Sequence, residues 1–93
     1  MKRIAILPSF ERSVKDLTPQ ERSDLAHGLA QFNEFVCSGN APFGFGFKKI
    51  NYDKYEFRVG IRLRVIIKAE NDIFYLVFVG NHEDIKRYLR KHR

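Results

Sequence analysis

The sequence predicts a small α+β protein in which helices and an antiparallel sheet occupy separate stretches of the chain. Apolar residues recur at helical spacing up to residue 39 and again after residue 81, whereas apolar and polar residues alternate in much of the stretch between them. A chain of 93 residues can bury one modest core. We therefore expect residues 1–93 to form a single domain.

The first 39 residues predict a strand followed by a helix hairpin. The strand is expected over 3–7, and Pro8 opens a short helix. The tetrapeptide 18–21, Thr-Pro-Gln-Glu, has the capping-box pattern with proline at the first helical position, so it predicts a second helix, which Gly39 ends. The apolar faces of the two helices are formed by Phe10, Val14 and Leu17, and by Leu25, Leu29, Phe32 and Val36.

The stretch from Phe47 to Gly80 predicts a four-stranded antiparallel meander, with turn signals at 51–53, 59–60 and 70–72. Alternation assigns Tyr55, Phe57, Val59, Ile61, Leu63, Val65 and Ile67 to one face and Glu56, Arg58, Arg62, Arg64, Ile66 and Lys68 to the other. We expect one apolar face and one open, basic face. The last strand is apolar on both sides, and a short C-terminal helix beginning at Asn81 is the segment available to cover it.

Two further features receive structural interpretations. Residues 40–47 form a loop of glycines and phenylalanines, and such phenylalanines are expected to fold onto the core rather than to stack on bases. Cys37 has no second cysteine with which to form a disulfide or a metal site, and it is expected to be a small buried apolar residue.

The charge pattern points to a polyanionic partner. The formal net charge is +6; residues 1–47 carry five basic and five acidic groups, whereas residues 48–93 carry twelve and six. Such one-sided charge suits nucleic acid, and an acidic protein segment is the alternative. No apolar run approaches the length of a membrane span or a signal-peptide core, so a cytoplasmic protein without a membrane partner is expected. Histidine and cysteine spacing supports no metal site, and no nucleotide-cofactor motif is present.

Three motifs, taken in order, resemble the RelE/ParE superfamily of toxins from bacterial type II toxin-antitoxin systems. They are residues 55–59 (Tyr-Glu-Phe-Arg-Val), 62–66 (Arg-Leu-Arg-Val-Ile) and 79–88, in which a glycine precedes His82. The resemblance covers essentially the whole chain. It implies a metal-independent endoribonuclease that cuts messenger RNA on the ribosome and is inhibited by a cognate antitoxin. The alternatives are a ParE-like toxin that acts on DNA gyrase and a non-catalytic basic RNA-binding domain.

Metal-free RNA cleavage requires a base, cations around the phosphorus and an acid, and the resemblance indicates which residues supply them. His82 is the first candidate for acid or base, because an imidazole titrates close to neutral pH. Arg64 is expected to stabilise the transition-state phosphate, with Arg58 beside it. Tyr88 matches an aromatic that in relatives stacks on a base or assists proton transfer, and core packing is the equally open alternative.

The remaining basic residues of the meander are expected to bind the RNA backbone: Lys49, Lys54, Arg62 and Lys68. The sequence departs from several nucleases of the family by having Glu56 where they have lysine. Glu56 is interpreted either as the general base or as an ion-pair partner of neighbouring arginines, and the identity of the base is left open.

Overall fold

The computed structural model describes residues 3–39 and 46–92, and its strands form one five-stranded sheet. In chain order the elements are β1 (Arg3–Ile6), α1 (Pro8–Lys15), α2 (Pro19–Ser38), β2 (Lys48–Lys49), β3 (Lys54–Val59), β4 (Leu63–Glu70), β5 (Ile73–Asn81) and α3 (His82–Lys91). The strand order is β1-β5-β4-β3-β2. The α+β class and the antiparallel meander are confirmed, and β1 adds a fifth strand that is parallel to β5.

Both long helices begin at capping boxes. The Thr18 hydroxyl accepts a hydrogen bond from the Glu21 N–H at 3.1 Å, and the Glu21 carboxylate accepts one from the Thr18 N–H at 2.9 Å, as predicted. The α2 helix ends at Gly39, whose φ of 79° lies in the left-handed region. At α3, Asn81 and Asp84 exchange the equivalent pair of bonds at 2.8 and 3.1 Å. This second box starts α3 immediately at the end of β5.

The first face of the sheet carries the larger core, under α1 and α2. Phe32 is fully buried at its centre and stacks on Phe57 with ring centroids 5.0 Å apart. Phe47, from the end of the aromatic loop, lies 5.2 Å from the Tyr55 ring and 4.8 Å from the Phe35 ring, which confirms that it folds onto the core. The other two loop phenylalanines, Phe43 and Phe45, lie outside the described residues.

Two expectations about apolar residues are wrong. Cys37 is exposed in the last turn of α2 rather than buried. Ile61 is fully exposed because residues 60–62 form the turn between β3 and β4, where strand alternation no longer applies. Within the described ranges, no helix combines the length and apolar character that crossing a membrane requires.

The second face of the sheet has its own apolar cluster, which α3 covers. Ile66, Val77 and Ile85 are buried at its centre. A register shift pairs Ile66 with Phe78 but Ile67 with Leu76, so β5 contains one extra residue at Val77. Covering of β5 by the C-terminal helix is therefore confirmed. The expectation of an open basic face is wrong. The centre of this face is apolar and covered, and the charged residues surround that centre.

The α1 helix completes the edge of β5 beyond the end of β1. Ser9 donates a hydrogen bond from its hydroxyl to the Val77 carbonyl at 2.6 Å. One turn later, the Ser13 hydroxyl accepts a hydrogen bond from the Val79 N–H at 3.0 Å and donates one to the Phe10 carbonyl at 2.7 Å. Two serines on one side of α1 thus satisfy backbone groups that a longer β1 would otherwise pair.

Replacing Ser13 by alanine should lower the free energy of unfolding by about 1–3 kcal/mol, because the buried Val79 N–H would lose its acceptor. Ser23→Ala is the matched control, since Ser23 is exposed on α2 and its change should stay within about 0.5 kcal/mol. Urea unfolding of both variants measures the difference. Equal stability of the two variants would show that the hydroxyl is not needed at this edge.

Candidate nucleic-acid interface

The two sides of α3 face different parts of the molecule. Asp84 and Arg87 line a cleft with Ser13 and Asp16 of α1, and Tyr88 lines a neighbouring cleft with Arg12. We call the side bearing Asp84, Arg87 and Tyr88 the α1 flank. With about 3.6 residues per turn, successive members of the series His82, Lys86 and Arg90 lie one turn apart on the opposite side of α3. Buried Ile85 lies between this side and the α1 flank. We call that side the open flank. Because α1 lies on the β1 side of β5, the open flank of α3 faces the other way, toward β4 and β3.

The sheet register brings the principal predicted residues to one end of this surface. Arg58 on β3 pairs with Arg64 on β4, which in turn pairs with Gly80 on β5. Directly paired residues place their side chains on the same face, about 4.5–5.5 Å apart at Cβ. His82 begins α3 two residues after Gly80. Arg58, Arg64 and His82, from three separate segments, therefore come to the same end of the sheet.

Gly80 allows α3 to start this close to the sheet. A Cβ on Gly80 would lie 2.7 Å from the Asp84 Cβ, which is closer than such atoms pack. The atom it would meet belongs to the first turn of α3, so a small side-chain movement could not relieve the contact. The glycine that precedes His82 is thus explained by close packing between β5 and α3.

Glu56 lies among the cations of this surface and is almost completely buried. Its Oε1 atom is 3.2 Å from the Lys48 Nζ and 3.9 Å from the Arg64 Nη1. The Glu56 side chain is only 9% exposed, which leaves little of the carboxylate accessible to a substrate. Of the two interpretations of Glu56, the geometry favours the ion-pair partner, which neutralises part of the charge on Arg64.

Arg58 is the more available of the two paired arginines. It is exposed, and among the described residues it forms no ion pair. Its side chain passes beside Gly46, where an added Cβ would lie 3.1 Å from the Arg58 Cγ. The Arg64 side chain is 27% exposed and shares Glu56 with Lys48. The pair therefore offers an incoming phosphate one guanidinium that has no ion pair among the described residues and one whose charge is partly neutralised by Glu56.

The structure places two predicted RNA-binding residues away from this surface. Lys49 pairs with Tyr55 and so lies on the face of the larger core; Lys48, paired with Glu56, occupies the expected place. The short β2 made this register hard to predict. Arg62 lies in the turn between β3 and β4, where it lines a groove beside Glu21 and Asp24 of α2.

The other two predicted RNA-binding residues lie at the opposite end of the second face and are paired with acids. Lys54 and Lys68 face each other across β3 and β4. The Lys54 Nζ lies 3.6 Å from Asp53, and the Lys68 Nζ lies 3.1 Å from Glu70. The hydrogen bond and the charge of Glu70 raise the pKa of Lys68. Local acids balance the lysines here, so the positive field is weaker than at the Arg58 end.

Tyr88 is not brought together with the arginine pair. It lies on the α1 flank, where its ring stacks on Phe78 at 4.7 Å and on His92 at 4.3 Å between centroids. Burial raises the pKa of the Tyr88 hydroxyl. The ring already stacks on two neighbouring rings, so the geometry favours the packing alternative over stacking on a base.

Sequence reasoning missed the basic residues of the open flank, Lys86 and Arg90. Their spacing of four residues from His82 was visible in the sequence, but only the position of α1 shows which side of α3 faces the sheet. Among the described residues, no group of three histidine, cysteine, aspartate or glutamate side chains could hold a metal ion. What the surface assembles is guanidinium groups, ammonium groups and one imidazole, a set that can bind phosphate and transfer a proton.

Neither a protein-family model nor a curated protein sequence matches this chain. Solved structures do match. A chain of the E. coli DinJ-YafQ complex has a TM-score of 0.69 at 14% identity, over 91% of this chain and 98% of that one. The RelB-RelE antitoxin-toxin complex from Methanococcus jannaschii gives 0.68 at 20%, covering 90% and 96%. The YoeB-YefM complex from Staphylococcus aureus gives 0.61 at 14%, covering 88% and 98%.

These similarities extend over nearly the full length of each chain, while the identities are low. They concern the path of the backbone, including the N-terminal strand, the helices, the antiparallel strands and the C-terminal helix. The fold inferred from the three sequence motifs is thereby confirmed, and the chain shares the fold found in the RelB-RelE, DinJ-YafQ and YoeB-YefM complexes.

Proposed function

We propose that this chain is the toxin of a type II toxin-antitoxin system and that it inhibits translation by cutting messenger RNA on the ribosome. The structures that share its fold include a RelB-RelE antitoxin-toxin complex and a DinJ-YafQ toxin-antitoxin complex. The observation that carries the proposal is the placement of Arg58 and Arg64 directly opposite each other, at the end of the sheet where α3 begins with His82.

The reaction that suits this surface is attack by a ribose 2′-oxygen on the adjacent phosphorus. The bond from phosphorus to the 5′-oxygen breaks, which leaves a 2′,3′-cyclic phosphate on one fragment and a 5′-hydroxyl on the other. One group removes the proton of the 2′-hydroxyl, and another supplies a proton to the departing 5′-oxygen. We assign His82 to one of these two proton transfers, because it is exposed and starts the helix beside the arginine pair.

The arginines act on the phosphorus that gains negative charge. A planar guanidinium can donate two parallel hydrogen bonds to phosphate oxygens, which a lysine cannot do. Arg64, positioned on β4 and 27% exposed, is assigned to the charge that develops on the phosphate oxygens, because an interaction that is stronger in the transition state than in the bound substrate accelerates the reaction. Arg58 adds a second guanidinium from the neighbouring strand.

We further propose that a cognate antitoxin binds this surface. Arg58, Lys86 and Arg90 are exposed and form no ion pair among the described residues, so together they attract an acidic or amphipathic protein segment. RelB and DinJ appear with toxins of this fold in the solved complexes. A purified complex in which Arg58 and Arg64 remain solvent-exposed while activity is silenced would argue for inhibition at another surface.

Replacing Arg64 or His82 by alanine should slow single-turnover cleavage of ribosome-bound message by about 10² or more, the usual contribution of one electrostatic or acid-base group. Lys91→Ala, which removes one exposed positive charge from the same helix, should leave the rate nearly unchanged. Primer extension on messages after induction in growing cells locates the cuts, and purified components give the rates.

Other outcomes of the same experiment separate the alternatives. Growth arrest with intact messages and damaged DNA would support action on gyrase. If the three variants lost activity only in proportion to the charge removed, the chain would be a basic RNA-binding domain without a catalytic site.

Tyr88→Phe should cleave RNA at close to the unsubstituted rate, because phenylalanine preserves the stacking on Phe78 and His92. Tyr88→Ala should instead lower the free energy of unfolding by about 1–3 kcal/mol, since the ring is only partly buried. Cleavage assays combined with urea unfolding distinguish the two effects. A loss of about 10² in rate for Tyr88→Phe at unchanged stability would assign the hydroxyl to proton transfer.

A further inference from the structure

We infer that the open flank of α3 forms a second wall of the RNA site, and that Lys86 and Arg90 bind phosphates next to the one that is cleaved. This inference rests on the proposed function and extends it along the substrate. The arginine pair and His82 account for one phosphate. The open flank continues beyond them for two more helical turns and carries Lys86 and Arg90, with Glu83 as the acid beside them.

The two flanks of α3 differ in how their charges are used. On the α1 flank, the Arg87 Nη1 lies 3.3 Å from the Asp84 Oδ1, so its charge is neutralised within the helix. Lys86 and Arg90 are exposed and have no such partner among the described residues. They line one depression together with Leu89 and Glu83. Of these neighbours, Leu89 packs against the apolar cluster beneath α3 and gives the depression an apolar side.

The spacing of the open flank suits a chain of phosphates. Successive members of the series His82, Lys86 and Arg90 are one turn apart, which corresponds to a rise of about 6 Å per step along the helix. The series begins at the end of the sheet where Arg58 and Arg64 pair, and it leads away from that pair. An RNA strand that leaves the cleaved phosphate along α3 therefore meets Lys86 first and Arg90 second.

Both the sheet and the helix contribute cations along the path inferred for the strand. Lys48, Arg58 and Arg64 contribute from the sheet, with Glu56 as the acid among them, and Lys86 and Arg90 contribute from the helix. Long, flexible side chains on the helix can follow the backbone without reading bases, which makes them positioning residues rather than catalytic ones. Their removal should weaken binding without altering the chemical step.

The test compares Lys86→Ala with Lys91→Ala, two identical changes on exposed lysines of the same helix. Cleavage of ribosome-bound message is measured as kcat and KM at two salt concentrations. Lys86→Ala should raise KM about tenfold at unchanged kcat, and Lys86→Arg should restore it. The slope of log kcat/KM against log salt should become shallower by about 0.7 for the lost contact with a single strand. Lys91→Ala should change none of these values, and Arg90→Ala should behave like Lys86→Ala with a smaller effect.

A message with one uncharged methylphosphonate linkage beside the cut locates the contact. At the linkage that meets Lys86, the difference between the unsubstituted protein and Lys86→Ala should disappear, while linkages further away should preserve it. Equal KM values for Lys86→Ala and Lys91→Ala would overturn the inference while leaving the proposed function intact. So would a loss of antitoxin affinity in Lys86→Ala at unchanged KM, because the flank would then be a protein-binding surface. An unsubstituted protein that cuts no message would overturn both.

Discussion

The close contact between β5 and the first turn of α3 determines the geometry of the whole candidate site. Gly80 leaves no side chain between the strand and the helix, and the Asn81-Asp84 capping box fixes the residue at which the helix begins. Together they set the rotation of α3 about its axis. Buried Ile85 then points to the sheet, His82 is directed to the open flank, and Tyr88 is directed to the α1 flank. A start one residue later would rotate each of these side chains by about 100°.

The positions of the acidic side chains explain why the charge on the second face is unevenly available. Lys54 and Lys68 lie near the turns at one end of β3 and β4. Asp53 is the chain neighbour of Lys54 and Glu70 is two residues from Lys68, so each lysine pairs with a nearby acid. At the other end, Glu56 is the only acid that pairs with either arginine in the described part of the chain, and it already contacts Lys48. The formal net charge of the sequence is therefore a poor guide to the field at a given point. The basic residues that form no ion pair in the described part of the chain concentrate the positive field between β3, β4 and α3.

Local signals made most of the fold predictable, whereas long-range pairing decided the rest. The capping box at Thr18, the left-handed Gly39 and the period of two in the meander depend on residues within a few positions of one another. Lys49 was misplaced because a two-residue strand carries no alternation from which to infer its face. The sequence left Tyr88 open between core packing and a role in the site, because the position of α1 beside β5, secured by Ser9 and Ser13, cannot be inferred from α3 alone. Arg58, Arg64 and His82 come together through the register of β3, β4 and β5 and the start of α3, and of these only the helix start at Asn81 was predicted from the sequence.

The arginine pair does not stabilise the sheet by itself, and its charge is fully balanced only when an anion binds. Like charges directly opposite each other on neighbouring strands destabilise a sheet, and Glu56 offsets this repulsion only on the Arg64 side. Any polyanion that binds between Arg58 and Arg64 relieves the remaining repulsion and stabilises the folded state through its binding energy. An RNA phosphate and an acidic segment of an antitoxin would do so equally well. Under the proposed function, the two would compete for one surface through the electrostatics of the sheet, without a change in the conformation of this chain.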